Sequence, residues 1–284
     1  MRALVEIGAV MRRICASFAG AAGFSIVLLV VSAAVLAPWI ATHDPDSLDV
    51  PNRFAPPSLE HWAGSDHLGR DLYSRVVHGA TVAMAVALTA IAAALGFGVM
   101  LGVLAAYLPA RSERFILIFF DVLSSFPSLV LALAMVAVFG PSTRIVMVIV
   151  AVTLTPHFGR VARAQVLSLR SAPFLEAERI LGASGPRIVL HHILPNILGP
   201  LIVLASIDIP VVITIEAGLS FLGLGVRPPL ASWGVLIKDG YEHLSDSWIP
   251  VVVSSLALAV ATLGFTLFGE ALRDAVDPRI RRGR

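Results

Sequence analysis

Cys15 is the sole cysteine of this chain, so neither an internal disulfide nor a cysteine-based zinc cluster is available to it. Lys238 is the sole lysine and is followed by Asp239, which removes the Lys-Ser/Thr step a phosphate-cradling glycine loop requires. No HExxH, GxSxG or CxxC occurs, and no nucleophile–base pair is spaced for hydrolysis. Charge is scarce as well. Charged residues make up 14% of the 284 positions, against about 25% in soluble domains. The formal net charge is +2, and the arginines punctuate apolar runs instead of forming one basic face, which argues against a nucleic-acid partner.

What remains is apolar: 57% of residues are hydrophobic and the mean hydropathy is +0.86. Such a chain takes the lipid bilayer as its solvent, so its backbone must satisfy itself inside helices. The predicted architecture is all-α, a polytopic membrane protein with six spans. Residues 20–40 form the first, a retained span and not a cleaved signal, with Arg12 and Arg13 ahead of it and Trp39 at its far interface. Residues 43–78 form a hydrophilic excursion, proline-rich at its start and read as irregular. Spans follow over 81–106, where Gly96, Gly98 and Gly102 suit close helix packing, and over 115–139, which contains Asp121 and Pro127. The fourth span is short, with 15 residues between Arg144 and Arg160, so its helix should run on past Arg163 into water. The fifth and sixth occupy 197–224 and 248–268. All four tryptophans fall on one side, and the arginine-rich connections fall on the other. By the positive-inside rule the arginine side and both chain ends are cytoplasmic.

The stretch 160–196 is a charged island between apolar runs, carrying Arg160, Arg163, Arg170, Arg179 and Arg187 against Glu176 and Glu178. Pro173 starts a short helix over 174–181, and Gly182 stands where it should stop. Ala183-Ser184-Gly185-Pro186 turns the chain, and a second helix over 187–194 should end at Pro195. The result is a helix–turn–helix bracket that offers apolar and arginine surface to a partner.

Within the bracket, Glu176-Ala177, then Gly182 and later Leu194-Pro195 resemble the "EAA" loop of ABC-transporter permease subunits. Ala183 belongs to the same turn. Glu178 replaces the third alanine of that pattern and His192 replaces its isoleucine, so a charge stands where the family packs a methyl. Three further stretches are similar to the dipeptide/oligopeptide/nickel subgroup, specifically the second permease of its pair. They are Gly64-Ser65-Asp66-His67-Leu68-Gly69-Arg70-Asp71-Leu72-Tyr73-Ser74-Arg75, then Leu219-Ser220-Phe221-Leu222-Gly223-Leu224-Gly225 with Pro228-Pro229 and Trp233-Gly234, and finally Arg273-Asp274-Ala275-Val276-Asp277-Pro278-Arg279. The resemblance implies a type-I ABC importer permease core over 78–273, with 160–196 as its coupling loop. Residues 1–77 would then supply a tail, one extra span and an extracytoplasmic segment, and 274–284 a basic cytoplasmic tail. It implies a bacterial inner-membrane subunit that moves di- or oligopeptides or a related small solute, without cofactor or catalytic residue of its own. Its partners would be membrane lipid, a similar second permease, two cytosolic ATPases and an extracytoplasmic substrate-binding protein.

Acids inside apolar spans are costly and mark either a pathway or a pair. Asp208, near the middle of the fifth span, and Glu216, further out, either line the translocation route or pair across an interface; Asp121 is expected to meet an inner arginine. His43, His61, His67 and His78 are scattered over the hydrophilic excursion without metal-ligand spacing, and His191 and His192 point in different directions from one helix. The alternative reading is an ion-coupled secondary transporter working through Asp208 and Glu216. It predicts transport by this chain alone and inverted internal repeats, which are not visible.

Overall fold

The computed structural model describes residue 8 and residues 10–276, so residues 277–279 of the last motif and the basic tail lie outside the described residues. The described residues are mostly helical, with helices α1 (Phe18–Ile40), α2 (Leu72–Tyr107), α3 (Ala110–Ser125), α4 (Ser128–Phe139), α5 (Thr143–Arg170), α6 (Pro173–Ile180), α7 (Gly185–Phe221), α8 (Trp233–Glu242) and α9 (Ile249–Val276). Among the described residues, α1, α2, α5, α7 and α9 are each long and apolar enough to cross a membrane. A sixth crossing is reached if α3 and α4 together count as one span.

Polar caps set several of the starts. Ser17, Asp71, Ser142 and Ser232 each accept a backbone N–H three residues on, which satisfies donors that the first helical turn leaves open. The helix of the fourth predicted span does run past Arg163, ending at Arg170. Pairing is closest between α2 and α5; α1 packs on α9 and α2, and α7 lies against α9 and α2. Small residues make the α2–α5 contact possible. A Cβ on Gly98 or Gly102 would run into the backbone of Thr155 or Gly159 of α5, whereas Gly96 faces open space.

Two sequence expectations are corrected. The third span is not one helix. α3 and α4 meet at 87°, because Pro127 has no N–H to donate and holds Phe126 extended (φ −85°, ψ 125°). The second correction falls on Pro195, which does not end the bracket's second helix. Helix α7 continues from Gly185 through Pro195 to Phe221. A π segment over Val189–Ile193 allows this: Leu194 donates to the carbonyl of Val189 five residues back, so the ladder is re-registered where proline interrupts it. One helix of roughly 55 Å therefore joins the bracket to the opposite end of the molecule.

The connection between α1 and α2 is irregular apart from a 3₁₀ turn at Val50–Asn52, yet it is packed, not loose. Ser65, Asp66, Arg70 and Asp71 are buried in it. Asp66 accepts from the backbone N–H of Leu68 and Arg70 and from Arg70 Nε at 2.7 Å. Arg75, the largest fully buried side chain, donates to the Pro45 carbonyl at 2.9 Å and approaches Asp66 and Asp46 at 3.5 Å. Arg70 reaches Asp239 of α8 at 3.6 Å, and Trp233 Nε1 donates to the Val76 carbonyl at 2.9 Å. Two of the motif stretches thus meet at the end of α2 remote from the bracket.

Candidate functional site: a coupling bracket and membrane-embedded acids

Helix α6 hangs from the ends of α2 and α5 at Tyr107 and Arg170. Leu175 is fully buried and anchors it, Arg179 donates to the Arg170 carbonyl at 3.3 Å, and Arg170 donates to the Ala106 carbonyl at 3.2 Å while lying over the Tyr107 ring. The remaining surface is open. Phe174, Ile180 and Leu181 are exposed, the last two by more than 80%, and Glu176, Ala177 and Arg187 are exposed beside them. Large apolar side chains facing water on a charged helix form a surface built for contact.

Gly182 has φ +82° with no heavy atom near its missing side chain. The turn therefore needs glycine for its backbone angle and not for space. Gly182 and Ala183 donate back to the carbonyls of Arg179 and Glu178 and close the helix end. Leu194 and Pro195 lie where the π segment passes into the rest of α7.

The two positions that depart from the EAA pattern face each other. Glu178 Oε1 lies 3.5 Å from His192 Nε2, each side chain about one-third exposed. A carboxylate and an imidazole thus stand where the resembled pattern has an alanine and an isoleucine. Sequence reading missed this pair because the two substitutions lie on different helices; their joint occurrence was the available signal.

Of the three acids singled out by sequence, Asp121 is exposed and meets Arg160 at 3.1 Å. It sits on the amphipathic α3, before the bend. Asp208 of α7 approaches His157 of α5 at 3.6 Å, a histidine the sequence reading did not consider. Glu216 is fully buried and accepts from Ser220 Oγ at 2.7 Å; Ser220 Oγ in turn accepts from the Val226 N–H. In this conformation Glu216 opens to neither lipid nor cavity; it braces the turn after α7.

The histidines of the α1–α2 connection are not scattered as the sequence reading held. His43 and His61 lie with ring centroids 4.7 Å apart and tilted by 31°, while His67 stacks on His243 at 4.5 Å. Burial lowers the His67 pKa, against the opposing pull of Asp66 and Asp239. Burial also raises that of Asp239, although His67, Arg70 and Arg75 oppose it. Burial alone would raise Asp71 too, but hydrogen bonds from Ser74, His61 and Thr42 outweigh it and hold this carboxylate below its ordinary range.

Taken together, the fold and the bracket define an integral membrane transport subunit that works through contact with other proteins. Residues 98–282 match the family described as binding-protein-dependent transport system inner membrane component, and residues 8–57 match the N-terminal transmembrane domain of oligopeptide transport permease C. The chain belongs to this family of ABC-importer permeases: it is a multi-pass inner-membrane transport subunit and not an enzyme. It is 39% identical over 254 residues to a probable D,D-dipeptide transport system permease of Escherichia coli K12, covering 89% of this chain and 85% of that one. It is 36% identical over 259 residues to a dipeptide transport system permease of Alkalihalophilus pseudofirmus (91% and 85%). It is also 39% identical over 262 residues to a glutathione transport system permease of Escherichia coli O6:K15:H31 (92% and 86%). Among solved structures, an inward-facing MetNI methionine ABC transporter superposes with a TM-score of 0.58 at 18% identity, covering 72% of this chain and 97% of that one, which supports the type-I permease fold. The ion-coupled alternative gains no support from these relatives.

Proposed function

We propose that this subunit forms part of the path by which short peptides, or a solute of similar size and polarity, cross the inner membrane. The peptide class rests on the relatives, which are named as permeases for dipeptides and glutathione. In this reading a similar second permease completes the path and a substrate-binding protein delivers to the end where α8 lies. Two ATPase subunits dock on the bracket from the cytoplasm, where both chain ends also lie.

The observation that carries the reading is the single helix α7, which starts in the bracket and ends beside α8. Closure of an ATPase pair against Phe174, Ile180 and Leu181 would push α6 and tilt α7 as a lever, since a packed helix moves as a rigid body. Glu176, Gly182 and Ala183 then serve to place the contact. Asp208 with His157 is the polar pair that such a tilt would disturb inside the membrane.

Reconstitution tests this. In proteoliposomes, peptide uptake should require this chain together with its co-purifying partners and ATP, and the chain alone should neither transport under an ion gradient nor hydrolyse ATP. Transport by the isolated chain would sink the reading. Orientation has its own check: exposed Cys15 should react with an impermeant maleimide only after cells are opened, whereas Lys238 should react with an impermeant amine reagent from outside.

A further inference from the structure

At the end of α2 remote from the bracket, the side chains of His43, Glu60 and His61 converge, each offering one ligand atom, with all three atoms within 4.8 Å of one another. Neither the bracket nor the embedded acids use them. Their chemistry is specific. Two imidazole nitrogens and one carboxylate oxygen form a donor set that suits a borderline divalent cation such as Zn²⁺ or Ni²⁺ and not Mg²⁺ or Ca²⁺, which prefer all-oxygen shells. Three protein ligands with water in the fourth place form a recurring zinc arrangement.

A second observation points to a ligand. His61 is largely buried, and its Nδ1 lies 2.9 Å from Oδ1 of the fully buried Asp71. An ionised carboxylate only accepts, so Nδ1 holds the proton and Nε2 is left with its lone pair. This carboxylate–histidine arrangement is the device by which proteins orient a metal-binding imidazole and raise its basicity. Asp71 is itself fixed by Thr42 Oγ1 at 3.2 Å and by the Ser74 N–H at 2.8 Å.

We propose that His43, Glu60 and His61 bind a divalent transition-metal cation of the Zn²⁺ class, with Asp71 as the positioning residue behind His61. Ligands about 2.1 Å from a tetrahedral ion stand roughly 3.4 Å apart, so closure on the order of 1 Å completes the site. Glu60 is exposed and His43 partly exposed, and both have room to move that far. His43 follows α1, Glu60 and His61 lie midway along the connection, and Asp71 caps α2. The bound ion therefore staples the connection to both helices and stabilises this end of the molecule.

The test uses the full chain in detergent, purified without a polyhistidine tag, stripped with a chelator and titrated with Zn²⁺ against a chromophoric competitor. The wild type should bind one tight equivalent, with Zn²⁺ raising its melting temperature and Mg²⁺ leaving it unchanged. Glu60→Gln and His43→Gln should each weaken that equivalent at least tenfold and abolish the shift. His243→Gln, which alters a separate cluster in which His243 meets His67, Phe54 and the Asp239 carbonyl, should retain both. Glu60 is exposed, so its variant folds even if a histidine variant does not. The proposal is overturned if the wild type binds no tight equivalent, if Glu60→Gln and His43→Gln bind as the wild type does, or if only His243→Gln loses the ion.

Discussion

At the end of α2 near α8, Asp66, Arg70 and Arg75 are buried in one another's company and tied to Pro45, Asp46 and Asp239. At the bracket end, Glu176, Arg187, Ile180 and Leu181 are exposed. Both ends are rich in arginine, and they treat it in opposite ways. The first spends its charges on itself and so becomes a rigid plug in which every group depends on its neighbours. The second leaves charge and apolar area unused, as a surface awaiting a partner must. In the proposed coupling, motion imposed at the bracket would arrive, along α7, at an end that resists deformation.

The comparison breaks most sharply at Asp66. Asp66→Ala strips a carboxylate from two buried arginines, leaving Arg70 only Asp239 and Arg75 only Asp46 among the described residues, and breaking such a buried pairing costs about 3–5 kcal/mol. A loss of this order should appear as a much lower melting temperature in detergent and reduced abundance in membranes. A change of a degree or two would mean that the plug is not held by its charges.

Gly182→Val should act at the other end and in another way. No atom lies near the added side chain, so the damage is confined to the backbone angle, about 1–2 kcal/mol for a residue held in the left-handed region. Membrane abundance should stay near normal while ATP-driven uptake falls at least tenfold, because the turn re-aims α6 relative to α7. Abundance and uptake falling together would assign Gly182 to folding alone, and wild-type uptake would remove the bracket from the coupling path.

The smallest effect is expected at Glu178 and His192. A pair this exposed contributes about 0.2–1 kcal/mol. Glu178→Ala and His192→Ile should each weaken ATPase co-purification slightly. The double variant, which restores the alanine and isoleucine of the family pattern, should recover most of it, and that non-additivity measures the contact. Strictly additive losses would show that the two side chains act separately.

Much of this arrangement was legible in the residues. Apolar runs located the spans, Pro173 and Gly182 bounded α6, and the shortness of the run between Arg144 and Arg160 required the helix extension that ends at Arg170. Pro127 and Pro195 were read by the same rule and diverged. Pro127 breaks its span, with Phe126 held extended ahead of it and the two helices meeting at 87°. Pro195 is carried through, because Val189–Ile193 opens into a π turn.

What the sequence by itself determined is the local part: where backbone must enclose its own hydrogen bonds, where glycine must relax the chain, and which stretch forms the exposed helix–turn–helix. These follow from composition and spacing within a few turns of helix. Only the tertiary structure decided that Asp208 meets His157, that Glu178 meets His192, that Glu216 is sealed inside the subunit, and that His43, Glu60 and His61 converge over Asp71. Each of these except the burial of Glu216 joins residues of separate segments, and helical periodicity says which face a residue lies on but not which other face will be packed against it.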